Sequence, residues 1–117
     1  MFDYQQKLKI KMDKLAHEVY GITKSFPKYE IYNLVSQLNR ASLSVILNYV
    51  EGYARVKIGN RLNFLEISYG SLKETQYLIY FCFIEKLIEK DKYDELFKLV
   101  DEIGAMLWKE ITNIEKK

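Results

Sequence analysis

The sequence predicts an all-α protein, an antiparallel up-down-up-down four-helix bundle, and three observations carry that prediction. Apolar residues recur at alternating spacings of three and four along four long stretches, the period of a single helix face. Five Gly and one Pro are too few turn-formers for a loop-rich β-protein. The stretches are separated by short breaks, and short connections make sequential helices antiparallel neighbours. With 117 residues, 49% hydrophobic and 29% charged, the chain forms one domain over residues 1–117 with a real core.

The first helix spans about Asp3 to Thr23, with Leu8, Met12, Leu15, Val19 and Ile22 on its apolar stripe. Pro27 then breaks the chain, disfavouring the helical region at Phe26 and suiting the first position of a new helix. Glu30 falls in that first turn, where a negative charge complements the helix dipole. The second helix runs to about Arg55 or Lys57 with Leu34, Leu38, Ala41, Val45, Tyr49 and Gly52 inside. Ile58-Gly59-Asn60 interrupts it, and Asn60 is expected to cap the third helix. That helix runs from about Arg61 to Lys90 on Leu62, Leu65, Tyr69, Leu72, Gln76, Ile79 and Phe83. Asp91 is the expected cap of the fourth, with Asp94 three residues on approximating a capping box. The fourth helix reaches about Ile114 on Tyr93, Leu96, Val100, Ile103 and Leu107.

Composition excludes several function classes. Cys82 and His17 are the only residues of their kinds, so an intramolecular disulfide and a Cys-rich zinc site are ruled out. Cys82 lies within the apolar run Tyr77–Ile84 and reads as a small core residue; no local signature marks it as a nucleophile paired with His17. The scattered glycines form no phosphate loop. That run of eight is the longest in the chain and too short to span a bilayer, and the N-terminus has no signal pattern, so a cytoplasmic protein without a membrane partner is expected. Glu51, Glu66 and Glu74 on facing helices are the one arrangement resembling a carboxylate metal site. They lack the Glu-x-x-His pairs such bundles use, so no cofactor, metal or catalytic residue is assigned.

Two features exceed what a plain bundle needs. On the second helix Gln37, Arg40, Ser44, Asn48, Glu51 and Arg55 form one polar line beside the apolar stripe. A solvated face is the plain alternative, but such faces are usually rich in Lys and Glu. Across the hairpin lie Gly70, Ser71 and Glu74. Counting back from the turn places Ser44 level with Ser71 and Arg40 level with Glu74, so an Arg40–Glu74 ion pair is expected, with Gly70 allowing close helix approach. The second feature is apolar surplus: the stretch holding Tyr77, Tyr80, Phe81 and Phe83 is apolar all round the helix, which marks a subunit interface or, alternatively, a generous core.

The ordered set FP-x-x-E (Phe26, Pro27, Glu30), Q-L-x-R-A-x-x-S-x-x-x-N-x-x-E-G-x-x-R (Gln37 to Arg55) and G-S-x-x-E (Gly70, Ser71, Glu74), with Leu15, Tyr20, Thr23, Leu34 and Phe64-Leu65, resembles the bacterial 23S rRNA-intervening-sequence proteins. That family is similar to the accessory variability determinant proteins of diversity-generating retroelements. The match covers about residues 15–78. Ile46-Leu47 and Tyr49-Val50 depart from the expected Pro-Ala and Ile-Ala around Asn48. The resemblance implies a four-helix protomer in a ring-like homo-oligomer, a pentameric barrel, with no known enzymatic activity. The retroelement relatives bind nucleic acid and a reverse transcriptase.

Two functions of different classes follow. The first is a nucleic-acid-binding or ribonucleoprotein accessory module contacting RNA or DNA. Residues 1–59 carry net +4 and residues 60–117 net −2, so the overall +2 cannot coat a polyanion by bulk charge. In an up-down-up-down bundle, however, Lys7, Lys9, Lys11, Lys14, Arg55, Lys57, Arg61, Lys116 and Lys117 gather at one end, and no acidic residue lies between Gly52 and Leu65. A ring repeats that end and multiplies weak phosphate contacts. The second is a scaffold that binds a protein partner through its aromatic surplus, its charges serving only solubility.

Overall fold

The computed structural model describes residues 3–115, and four helices dominate it: α1 (Tyr4–Thr23), α2 (Ser36–Tyr53), α3 (Ile58–Ile84) and α4 (Lys90–Glu115). Among the described residues there is no strand. Asp3 caps α1, its carboxylate accepting from the Gln6 amide at 2.8 Å while the Gln6 side chain returns to the Asp3 amide. That reciprocal box satisfies two donors which the first turn leaves orphaned.

The second helix opens differently from the sequence expectation. Pro27 stays extended at φ −56°, ψ 145°, outside the first turn rather than in it. A 3-10 turn, Lys28–Glu30, and a wide π turn, Ile31–Val35, precede α2, and Leu34 is the one residue of these turns that is buried. From Ser36 the expected stripe holds: Leu38, Ala41, Val45, Tyr49 and Gly52 are all buried.

The boundaries of α3 also shift. Lys57, extended at φ −80°, ψ 131°, precedes the helix, so Asn60 sits inside the first turn and caps nothing. At the other end α3 stops at Ile84, six residues before the expected Lys90. The Leu87 amide bonds the Cys82 carbonyl at 2.8 Å and the Lys86 amide bonds the Phe83 carbonyl at 3.0 Å, with Lys86 at φ 65°. This is a Schellman closure with lysine in the left-handed seat that glycine usually takes. Lys90 then starts α4, placing Asp91 in its first turn rather than at its cap.

Each helix packs against its chain neighbours and α1 closes the square against α4. Along α1, Tyr4, Lys11 and Glu18 meet Met106, Glu102 and Lys92 in turn. Along α2, Ser44, Val45 and Gly52 meet Ser71, Ser68 and Leu65. The core between them is leucine-rich and completely enclosed at Leu8, Leu15, Leu38, Leu65, Ile103 and Leu107. The body measures 46 × 27 × 23 Å.

Close approach of α2 to α3 falls at Gly52, not Gly70. A methyl group at Gly52 would lie 3.2 Å from Leu65 Cδ2 and 3.3 Å from the Arg61 carbonyl oxygen, whereas one at Gly70 would meet nothing within 4 Å. Ser68, wholly buried at the same seam, donates to the Val45 carbonyl at 2.6 Å, and Ser44 and Ser71 share a 2.7 Å hydrogen bond. Small hydroxyl residues thus let the two backbones meet without leaving a polar group unpaired.

Candidate nucleic-acid interface

The α2–α3 turn is built from the end of one helix and the start of the next with four residues between them, which crowds their side chains onto one end of the bundle. Arg55 lies over the Phe64 ring at 4.8 Å and pairs with Glu51. The half-buried Arg61 lies over the Tyr53 ring at 4.9 Å, and its Nη2 donates to the Arg55 carbonyl at 3.1 Å. Arg61 therefore braces the turn. Lys57 projects exposed between them with no ion pair among the described residues.

Lys9 joins this end, lining a shallow groove with Gln5, Tyr49, Val50, Tyr53 and Ala54. Lys7 is exposed nearby in the first turns of α1, which the Tyr4 hydroxyl ties to the Met106 carbonyl at 2.9 Å. Two expected members do not belong. Lys11 is consumed by Glu102, its Nζ 2.8 Å from Oε2, and that hydrogen bond holds the Glu102 carboxyl below its ordinary range. Lys14 lies about 15 Å along the helix from its start at the α-helical rise. There it shares a groove with His17, Glu18 and Lys92. Lys116 and Lys117 lie outside the described residues.

Beneath the basic end sits a polar cluster that sequence reasoning missed. Glu110 is only 8% exposed, and both Tyr49 and Tyr53 donate their hydroxyls to its carboxyl oxygens. Burial, with these hydrogen bonds, pushes both tyrosine pKa values far above their ordinary range. Tyr53 is thereby fixed from below by Glu110 and covered from above by Arg61. A signal did exist: Ile103, Leu107, Glu110 and Ile114 continue one inward helical spacing, and Tyr49 in the α2 stripe carries a hydroxyl that burial must satisfy.

The polar line on α2 divides. Ser44, Asn48 and Ser71 form a half-buried network, with Asn48 Nδ2 donating to the Ser44 hydroxyl and carbonyl at 2.9 Å. Gln37 turns to Asn33 at 3.0 Å instead. The expected Arg40–Glu74 pair does not form: both side chains are exposed and no ion pair joins them. The level was right, as the Ser44–Ser71 contact one turn away shows, but both residues point outward from the seam.

Of the expected interface aromatics, Tyr77, Tyr80 and Phe81 are exposed, at 61%, 48% and 38%. Phe83 is not among them; it is half-buried and stacks on Tyr93 with ring centres 4.4 Å apart. The alternative of a generous core is therefore satisfied at Phe83 and Cys82, which is wholly buried, but not at the other three. Among the described residues no three His, Cys, Asp or Glu side chains gather as a metal site would need, and no helix is long and apolar enough to cross a membrane.

The fold has a solved counterpart. A crystal structure of a protein with unknown function from the S23 ribosomal protein family of Bacteroides thetaiotaomicron superposes with a TM-score of 0.87, covering 94% of this chain and 99% of that one at 19% identity. At that identity the likeness speaks for the fold alone. No curated protein matches the chain. Its sequence does match the description of one family across residues 5–109, nearly its whole length and well beyond the stretch that carries the FP-x-x-E and G-S-x-x-E elements. The chain belongs to the 23S rRNA-intervening sequence protein family.

Proposed function

We propose that this protein is a non-enzymatic, cytoplasmic accessory module that binds RNA or DNA as a homo-oligomer of antiparallel up-down-up-down protomers, with five subunits the leading number. The falling partner numbers between neighbouring helices support the antiparallel arrangement. The observation that carries the binding reading is the acid-free run from Gly52 to Leu65 at the α2–α3 turn, where Arg55 and Lys57 are exposed and Lys7 and Lys9 share the end. One protomer with net charge +2 holds a polyanion poorly. A ring with one or two phosphate contacts per protomer makes roughly five to ten, and that number loses about 10³-fold or more in affinity between about 50 and 200 mM salt.

The test is a salt series on the purified oligomer with single-stranded RNA and duplex DNA of mixed sequence. A steep slope is expected, flattened by the combined replacement Lys7→Ala, Lys9→Ala and Lys57→Ala with the assembly mass unchanged. Arg61 is left in place because it braces the turn. Equal binding by parent and variant at every salt concentration refutes the basic end. The scaffold reading then takes its place, and a specific feature favours it: Trp108, 52% exposed and packed beside Tyr69, offers a protein partner an aromatic anchor.

A further inference from the structure

The two helices that meet at the serine seam carry exposed apolar stripes of different chemistry. On α2 the stripe is aliphatic: Leu43, Leu47 and Val50 are 47%, 62% and 47% exposed. On α3 it is largely aromatic: Ile67, Tyr77 and Phe81 point outward. Each stripe holds one exposed charge without an ion-pair partner among the described residues, Arg40 on α2 and Glu74 on α3. By contrast, α1 and α4 are joined by two ion pairs within the protomer, Lys11–Glu102 and Lys92–Glu18.

We infer that the occupant of the α3 stripe is the α2 stripe of a second copy of this chain, with Arg40 of one copy paired to Glu74 of the next. This rests on the oligomeric reading above and assigns its contact. Symmetry supplies the argument. A two-fold dimer needs only one self-complementary patch, whereas a closed ring needs two different patches that fit each other. Here the patches differ, one aliphatic with a cation and one aromatic with an anion.

Their placement also suits closure. The four helices occupy the corners of a square, so α2 and α3 point outward about 90° apart. In a ring, the directions from one subunit to its two neighbours open by about 90° for four copies, about 108° for five and about 120° for six. Contacts at these two corners therefore close a small ring with the α2–α3 seam facing its axis.

Register gives the third support. A rotation about an axis along the bundle carries residues sideways and leaves their height unchanged. Within one protomer Ser44 is level with Ser71 and Val45 with Ser68. One turn away Arg40 is level with Glu74, and Leu47 with Ile67. Those levels are kept between neighbours, so without any axial slide cation meets anion and Leu47 meets Ile67, while Tyr77 and Phe81 lie level with Gln37 and Asn33 just before the aliphatic stripe. The ion pair which the sequence places within one chain is satisfied between two.

Charge reversal tests this. Arg40→Glu and Glu74→Arg each raise the protomer concentration for half-assembly by about tenfold or more, because each sets like charges face to face. The double variant recovers assembly, because every contact around the ring is then paired again with its two charges exchanged. Both sites are exposed, so the helical circular dichroism of each single variant stays that of the parent. Chains bearing both Leu47→Cys and Ile67→Cys cross-link into a ladder on mild oxidation, and either change alone gives none. Single variants that assemble like the parent, a double variant that fails to recover, or a cross-linked dimer from Leu47→Cys alone overturns the contact while leaving an oligomer in place. A parent chain that is monomeric at micromolar concentration by light scattering overturns the oligomeric reading itself.

Discussion

Removing a tyrosine hydroxyl from the Glu110 cluster tests whether the basic end stands on a designed polar support. Tyr49 is 1% exposed and Glu110 8%, so neither polar group can turn to water when its partner is lost. A buried acceptor left short of a donor costs about 1–3 kcal/mol, whereas the same change at an exposed site costs almost nothing. Tyr49→Phe and Tyr53→Phe are each expected to lose about 1–3 kcal/mol, and Tyr32→Phe, at a residue 96% exposed, nothing measurable. Glu110→Leu removes the acceptor, so Tyr49→Phe on that background should cost far less than on the parent. The coupling in a double-mutant cycle is then about 1–3 kcal/mol. Urea denaturation at fixed protomer concentration reads it: with a slope of about 1–3 kcal/mol per molar, each single loss moves the midpoint by roughly 1 M. Additive effects, with coupling under about 0.5 kcal/mol, would refute the cluster as a cooperating unit.

Three further outcomes are expected. Burial raises the pKa of Tyr49 and Tyr53, while an unfolded tyrosine titrates near about 10. The native state thus keeps protons which the unfolded chain loses, so stability is full below about pH 10 and falls as pH rises above it, and Tyr49→Phe with Tyr53→Phe should shallow that fall in pH-stepped urea titrations. Burial pushes the Cys82 thiol up to about 11, so a thiol reagent at pH 8 should label it only in denaturant, and rapid native labelling would contradict the packing. Two backbone substitutions should move thermal stability oppositely: Gly52→Ala lowers it by forcing a methyl against the Arg61 carbonyl, and Lys86→Gly raises it by up to about 1 kcal/mol by removing a side chain from a left-handed position.

The helical framework was legible because its signals are local and redundant. Leu8, Met12, Leu15 and Val19 repeat the same inward spacing, and a single misread residue would not have changed the reading. Helix ends were less legible because each depends on one residue. Asn60 has the chemistry of a cap, yet the chain turned three residues earlier at Lys57; Lys86 closes α3 with no glycine to announce it. Close approach was assigned to Gly70 by its place opposite the second helix, but Gly52, inside the apolar stripe, is where the Leu65 side chain and the Arg61 carbonyl oxygen arrive. In the candidate site, Arg55, Lys57 and Arg61 were found because they are adjacent along the chain. Glu110 was not, because its partners are 57 and 61 residues away and a carboxylate on a core stripe contradicts the pattern used to find the core.

These hidden contacts bear on how a weakly charged chain is expected to hold a polyanion. Repeated contacts multiply affinity only if every copy presents its cations in the same geometry, since a mobile lysine spends binding energy on being ordered. In this protein Glu110 fixes the Tyr53 hydroxyl, the Tyr53 ring carries the Arg61 guanidinium, and Arg61 holds the Arg55 carbonyl. The chain of contacts runs from the core to the surface turn and ends beside Lys57. Glu110→Gln should therefore weaken nucleic-acid binding by the oligomer although residue 110 is buried, and it should do so without changing the salt slope, because the number of phosphates contacted is the same and only their order is lost. Binding unchanged by Glu110→Gln in a folded oligomer would show that Arg55 and Lys57 are presented by the turn alone. A slope reduced in step with affinity would show instead that the turn had come apart.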